Sequence, residues 1–124
     1  SVIPMDSERV LAGQTVVVRG DRIVAVGPTA STAVPSGAAR VEARGKYLLP
    51  GLAEMHGHVP PPNAPPELTD ETLFLYVANG ITTVRGMLGA PGQLALRERV
   101  RRGEVIGPTL YLAGPSFSGP NMTP

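Results

Sequence analysis

The chain carries only two histidines, and they stand two residues apart, at His56 and His58, with Gly57 between them. In extended backbone, residues two apart point to the same side. Two imidazoles so placed can share one divalent cation, and Gly57 adds no bulk beside them. Glu54 has the same parity and is placed to orient a histidine or to bind metal from that side. The plainer alternative for this spacing is a pair of surface histidines hydrogen-bonded to their surroundings. What raises the pair above that alternative is the element beneath it, because barrels and open α/β sheets gather their ligands at the C-terminal ends of strands.

That element is a short apolar strand predicted over residues 51–56. A stiff loop holding Pro60, Pro61, Pro62, Pro65 and Pro66 follows it. Thr69 then reads as the cap of a helix with Asp70 and Glu71 in its first turn, where acids suit the positive helix end. Leu73, Phe74, Val77 and Ala78 would share its apolar face, and Gly80 would end it. A β-branched strand is expected at 81–85, and a second helix at about 91–102. In that helix Leu96 and Val100 lie one turn apart, Arg99, Arg101 and Arg102 crowd the C-terminal end, and Gly103 stops it. A third strand at 109–113 and a Gly-, Pro- and Ser-rich tail over 114–124 complete the reading. Strands alternating with helices are the grammar of a parallel sheet.

The first part of the chain reads differently. Residues 15–19 and 22–26 are β-branched runs joined by Gly20 and Asp21, and glycine at the first central position suits a two-residue hairpin of type II′. Residues 29–38 read as a loop. Two more short strands are expected at 40–43 and 46–49, with Gly45 between them. The division expected is therefore a small antiparallel β domain over 1–49 and an α/β portion over 50–124.

Composition narrows the partners. Eleven Lys and Arg against ten Asp and Glu give a net charge of +1, with no one-signed stripe for nucleic acid or an anionic membrane. No apolar run approaches the roughly 20 residues of a bilayer helix. The chain reads as soluble and cytoplasmic; it begins at Ser1, which is compatible with a signal peptide already removed. Without cysteine there are neither disulfides nor thiolate metal sites. Gly and Pro make up 29 of 124 residues, just short of a disordered composition, and the proline loop holds part of that excess.

The stretch Leu48, Leu49, Pro50, Gly51, Leu52, Ala53, Glu54, Met55, His56, Gly57, His58 resembles the P-G-[LF]-x-[DE]-x-H-x-H signature of the amidohydrolase superfamily. Residues 16–28 are similar to the small-domain hairpin that precedes that signature. Residues 79–85, N-G-I-T-T-V-R, resemble the second barrel strand of the branch containing imidazolonepropionases and metal-dependent Xaa-Pro and Xaa-Lys/Arg dipeptidases. The resemblance implies an eight-stranded (β/α) barrel of TIM type preceded by part of a β-sandwich. It also implies one or two divalent ions, usually zinc, and a metal-activated water that attacks an amide-type carbon. Only the first-strand ligands map onto this chain, as His56 and His58. The family's bridging lysine, its later histidines and its proton-shuttling aspartate have no counterpart here. Glu54 stands where Asp is commoner, and Gly86 stands where relatives often have Asp. Arg85 is a weak candidate for facing a substrate carboxylate, its plainer role being an ion pair or a solvated strand end.

A closed barrel takes about 250 residues, whereas about 75 follow the small sheet. Three strands and two helices are expected, and the remainder of the barrel must come from the same or another chain. Catalysis would belong to the completed protein, a hydrolase of carbon-nitrogen bonds in a small amide or dipeptide-like substrate. An open parallel edge points to an oligomer. The competing readings are a catalytically inactive fragment or interaction module that keeps the family fold, and a small β-rich binding domain with incidental histidines.

Overall fold

In the computed structural model, which describes residues 1–115, the chain forms two compact units that divide after Pro50. The first holds a two-stranded antiparallel sheet of β1 (Gln14–Arg19) and β2 (Arg22–Pro28). Gly20 has φ 61° while Asp21 keeps a negative φ, as a type II′ turn requires, and Arg19 pairs with Arg22 across it. A bulge between Val17 and Val18 shifts the register further along.

The strands expected at 40–43 and 46–49 do not form. Val41 is 91% exposed, and the charges of Arg40, Glu42, Arg44 and Lys46 leave no apolar face to pair and bury. The segment instead turns at Gly45, φ 73°, where the Lys46 N–H donates to the Ala43 carbonyl. Leu48 alone finds a strand-like partner, an isolated parallel bridge to Val2, which also bridges Leu11 in antiparallel sense.

The second unit alternates β3 (Leu52–Gly57), α1 (Pro66–Ala78), β4 (Ile81–Gly86), α2 (Gln93–Arg101) and β5 (Thr109–Leu112). Its sheet is parallel, in the order β3-β4-β5. Helix α1 starts before the Thr69 cap position: Pro65 is its N-cap and Pro66 its first residue. Proline at that position carries a preset helical φ and lacks an N–H that would go unpaired, so the last prolines of the cluster begin the helix. Thr69 lies inside the first turn, its N–H donating to the Pro65 carbonyl.

The buried face of α1 also differs from the expected one. Phe74 and Ala78 are exposed, while Leu73 is fully buried and Tyr76 packs against the core. Apolar residues at 68, 73, 74, 75, 77 and 78 run round the helix, so periodicity did not single out one stripe. Helix α2 buries Leu96 and packs Val100 against the same core, and Gly103, φ 73°, ends it. The core gathers Val59, Leu73, Val84, Leu96, Val105 and Leu110, one layer of side chains between the sheet and its helices. Among the described residues no helix is long and apolar enough to cross a membrane. The tail expected over 114–124 lies, from residue 116, outside the described residues.

Candidate metal centre

His56 is the next-to-last residue of β3, and His58 is the first residue beyond it. Both side chains are exposed, and their ring centroids lie 5.5 Å apart at an interplanar angle of 50°. A zinc-nitrogen bond of about 2.0–2.1 Å puts each ring centre roughly 3 Å from the ion, so two rings on one tetrahedral ion stand roughly 5 Å apart. The observed pair is compatible with that spacing. Among the described residues no third His, Cys, Asp or Glu joins them in a metal-sized group.

Gly57 sits between the rings and is buried. A Cβ there would lie 2.5 Å from Cγ1 of Val84 and 3.4 Å from the Tyr76 hydroxyl, so this position faces α1 and tolerates no side chain.

Strict alternation would put Glu54 and Gly57 on opposite sides of the strand, but Glu54 shares the side of Gly57. It pairs in register with the fully buried Val84, and its Cγ lies 3.2 Å from the Cβ position of Gly57, on the face that α1 covers. The reason is a bulge: three steps from Glu54 to Gly57 on β3 match two from Val84 to Gly86 on β4, and the extra residue reverses the parity. From there the Glu54 carboxylate accepts the His56 backbone N–H at 2.8 Å. Glu54 thus fixes the backbone that carries His56.

Two further residues hold the strand exit, and neither stood out in the sequence. The Tyr76 hydroxyl, from α1, donates to the His58 carbonyl at 3.2 Å. Gln93, the first residue of α2 and 4% exposed, donates its amide Nε2 to the Val59 carbonyl at 3.3 Å. Its Oε1 accepts the Ala90 N–H at 3.2 Å. A glutamine at the start of a charged helix reads as a solvated residue. Only the adjoining loop glycines, Gly89 and Gly92, hint at close packing there.

Arg85 lies on the other face of the sheet from Val84. With Met55, Thr83, Met87 and Tyr111 it helps line an open concavity of about 560 Å³.

No protein-family model matches the chain. It is 32% identical over 97 residues to the adenine deaminase of Cenarchaeum symbiosum, a match covering 78% of this chain and 16% of that enzyme. A prolidase solved with N-methylphosphonate-L-proline superposes on 82% of the chain with TM-score 0.67 and 31% identity, using 27% of its own length. Molinate hydrolase superposes on 92% of the chain with TM-score 0.79, using 28% of its length; at 23% identity this likeness concerns the fold. These three names all denote hydrolytic activities. The chain belongs to the amidohydrolase superfamily, whose N-terminal portion it matches. It spans about a sixth of the curated relative and a little over a quarter of the solved ones.

Proposed function

We propose that the chain is the N-terminal part of a metal-dependent amidohydrolase in which His56 and His58 hold a divalent ion, zinc being the ion that imidazoles commonly bind in hydrolases. The observation that carries this reading is the 5.5 Å histidine pair at the C-terminal end of the first strand of a parallel sheet. Such an ion, when bound, supplies a water of lowered pKa and polarises the carbon under attack. The chain's own part is to present the two imidazoles, with Gly57 letting the strand that carries them lie against Val84 and Glu54 fixing the His56 backbone.

Two imidazoles make half a zinc site, since structural and catalytic zinc take three or four protein ligands. The missing ligands, the proton-transferring group and the remaining strands of a (β/α) barrel therefore come from further polypeptide, in the same chain or another. Carbon-nitrogen bonds are the reactive class, as the named activities of the adenine deaminase and prolidase relatives suggest. A small amide or a dipeptide is the substrate favoured by the dipeptidase-like residues 79–85.

Replacing both histidines by alanine in the complete polypeptide tests this reading. Bound metal, measured by elemental analysis of the purified protein, and hydrolysis are expected to vanish together. Unchanged metal content in the double variant would overturn it.

A further inference from the structure

His58 stands where the sheet no longer holds it. The last pairing of β3 with β4 is Gly57 with Gly86, and the Gly57 carbonyl takes the Met87 N–H at 3.2 Å. Beyond that point no ladder bond fixes the backbone, and the proline loop begins at Pro60. Yet the next two carbonyls are both occupied, by side chains from different helices. The His58 carbonyl takes the Tyr76 hydroxyl from α1, and the Val59 carbonyl takes the Gln93 amide from α2.

Successive carbonyls of extended chain point in opposite directions, so two donors from two helices resist rotation of the peptide between His58 and Val59. Gln93 is itself immobilised. It is the only buried polar or charged side chain among the described residues, and both ends of its amide are used. A buried amide that loses its partners is costly, which keeps the side chain in this one arrangement. Its Oε1 contact with Ala90 also ties the loop after β4 to the loop after β3. Beside it, a Cβ on Gly92 would meet Cβ of Pro62 at 3.1 Å, so the proline loop rests directly on the start of α2.

We infer that Tyr76 and Gln93 are positioning residues that clamp the backbone on either side of the His58–Val59 peptide and so set where the His58 imidazole stands. The inference rests on the metal reading above. It adds the means by which one ligand, lying outside the sheet, is held still enough to share an ion with its partner inside it. Partners that orient a ligand without touching the metal affect affinity by roughly tenfold or more when lost.

The test is a competition titration of zinc alone against a chelator, on the complete polypeptide. Gln93→Met keeps the volume and removes both hydrogen bonds; it is expected to weaken zinc binding about tenfold. Tyr76→Phe removes one hydroxyl and nothing else; the loss expected from one ordinary hydrogen bond is roughly threefold, and it decides the matter if the methionine variant does not fold. Leu96→Ala, which strips a buried core side chain from α2 without touching either carbonyl, is the control for general loosening and is expected to bind zinc within about twofold of the parent. Parental affinity in both Tyr76→Phe and Gln93→Met overturns the inference. So does an equal loss in Leu96→Ala, which would make the effect one of stability. His58→Ala separates the two levels: if it binds zinc as the parent does, the metal reading falls and takes the inference with it. If it loses zinc while the clamp variants do not, only the inference falls.

Discussion

The hairpin of β1 and β2 and the parallel sheet of β3, β4 and β5 are both built from β-branched and apolar runs, but they end in different environments. No residue of the first fifty is buried, and Val18, Ile23, Val24 and Val26 stand 48–67% exposed. In the second unit Val84 is fully buried and Leu110 is 4% exposed. The strands differ less than the layers do. The parallel sheet has α1 and α2 to lie against, whereas within its own unit the hairpin has only the loops beside it. Alternating residues and a Gly-Asp turn suffice to make a hairpin, but a core requires a second layer brought in from elsewhere in the sequence.

The largest effect that follows is on the layer contact. Leu73→Ala in the 124-residue chain should cost about 2–5 kcal/mol, because Leu73 is fully enclosed and its loss leaves a cavity between α1 and the sheet. Ile23→Thr, in a strand of comparable character, should change stability by no more than about 0.5 kcal/mol, since the side chain is 67% exposed. Denaturant unfolding of the two variants measures both. A cost for Ile23→Thr that matches Leu73→Ala would break the comparison and mean that the hairpin is covered in solution.

Two glycines sharpen the same contrast at smaller scale. Gly57 is indispensable for space: its missing Cβ is what lets β3 lie against Val84. Gly57→Ala should cost about 1–3 kcal/mol by overpacking, and because the shift would fall between the histidines it should also weaken zinc binding in the complete polypeptide. Gly20 is indispensable for conformation alone, with φ 61° and open space around it. Alanine there should cost about 1–2 kcal/mol and leave the metal site untouched. A Gly57→Ala protein with parental stability and parental zinc affinity would show that β3 can move without consequence for the site.

These cases mark how far the sequence could be read. The turn at Gly20, the strands that became β3, β4 and β5, and the end of α2 at Gly103 were legible because each depends on a few adjacent residues. The start of α1 is hidden because proline signals a loop in most positions, whereas at the first helical position, held here by Pro66, it favours the helix. The strands expected at 40–49 fail because the charges of Arg40, Glu42, Arg44 and Lys46 leave no apolar face to bury. His56 and His58 are visible as a pair by their spacing, whereas the bulge that puts Glu54 on the side of Gly57 leaves no mark in the sequence. Tyr76 and Gln93 were invisible for a related reason. Each acts on a carbonyl 18 or 34 residues away, and no local pattern encodes such a bond.

Charge is where the two units cease to differ, and it supplies the smallest effect. Asp6 in the first unit is held below its ordinary value chiefly by the hydrogen bond from Arg9, three residues on. Glu98 in α2 is held below its own value chiefly by the hydrogen bond from Arg101, at the same spacing. Both pairs are solvent-exposed, so each adds little, and salt screens it. Because the carboxyl is depressed in the folded state, its contribution is complete above the ordinary carboxylate range and disappears as pH falls through the lowered value. Acidification should therefore weaken both units slightly and alike. Asp6→Asn and Glu98→Gln should each flatten their own share of that slope in unfolding midpoints followed from neutral to acid pH, and raising the salt should flatten both. Stability that rises as the pH falls through that window would mean that the two arginines do not hold their carboxylates in solution. A steeper loss from Glu98→Gln than from Asp6→Asn would mean instead that α2 transmits its surface charge to the core that Leu96 anchors, which the hairpin unit, with nothing buried, cannot do.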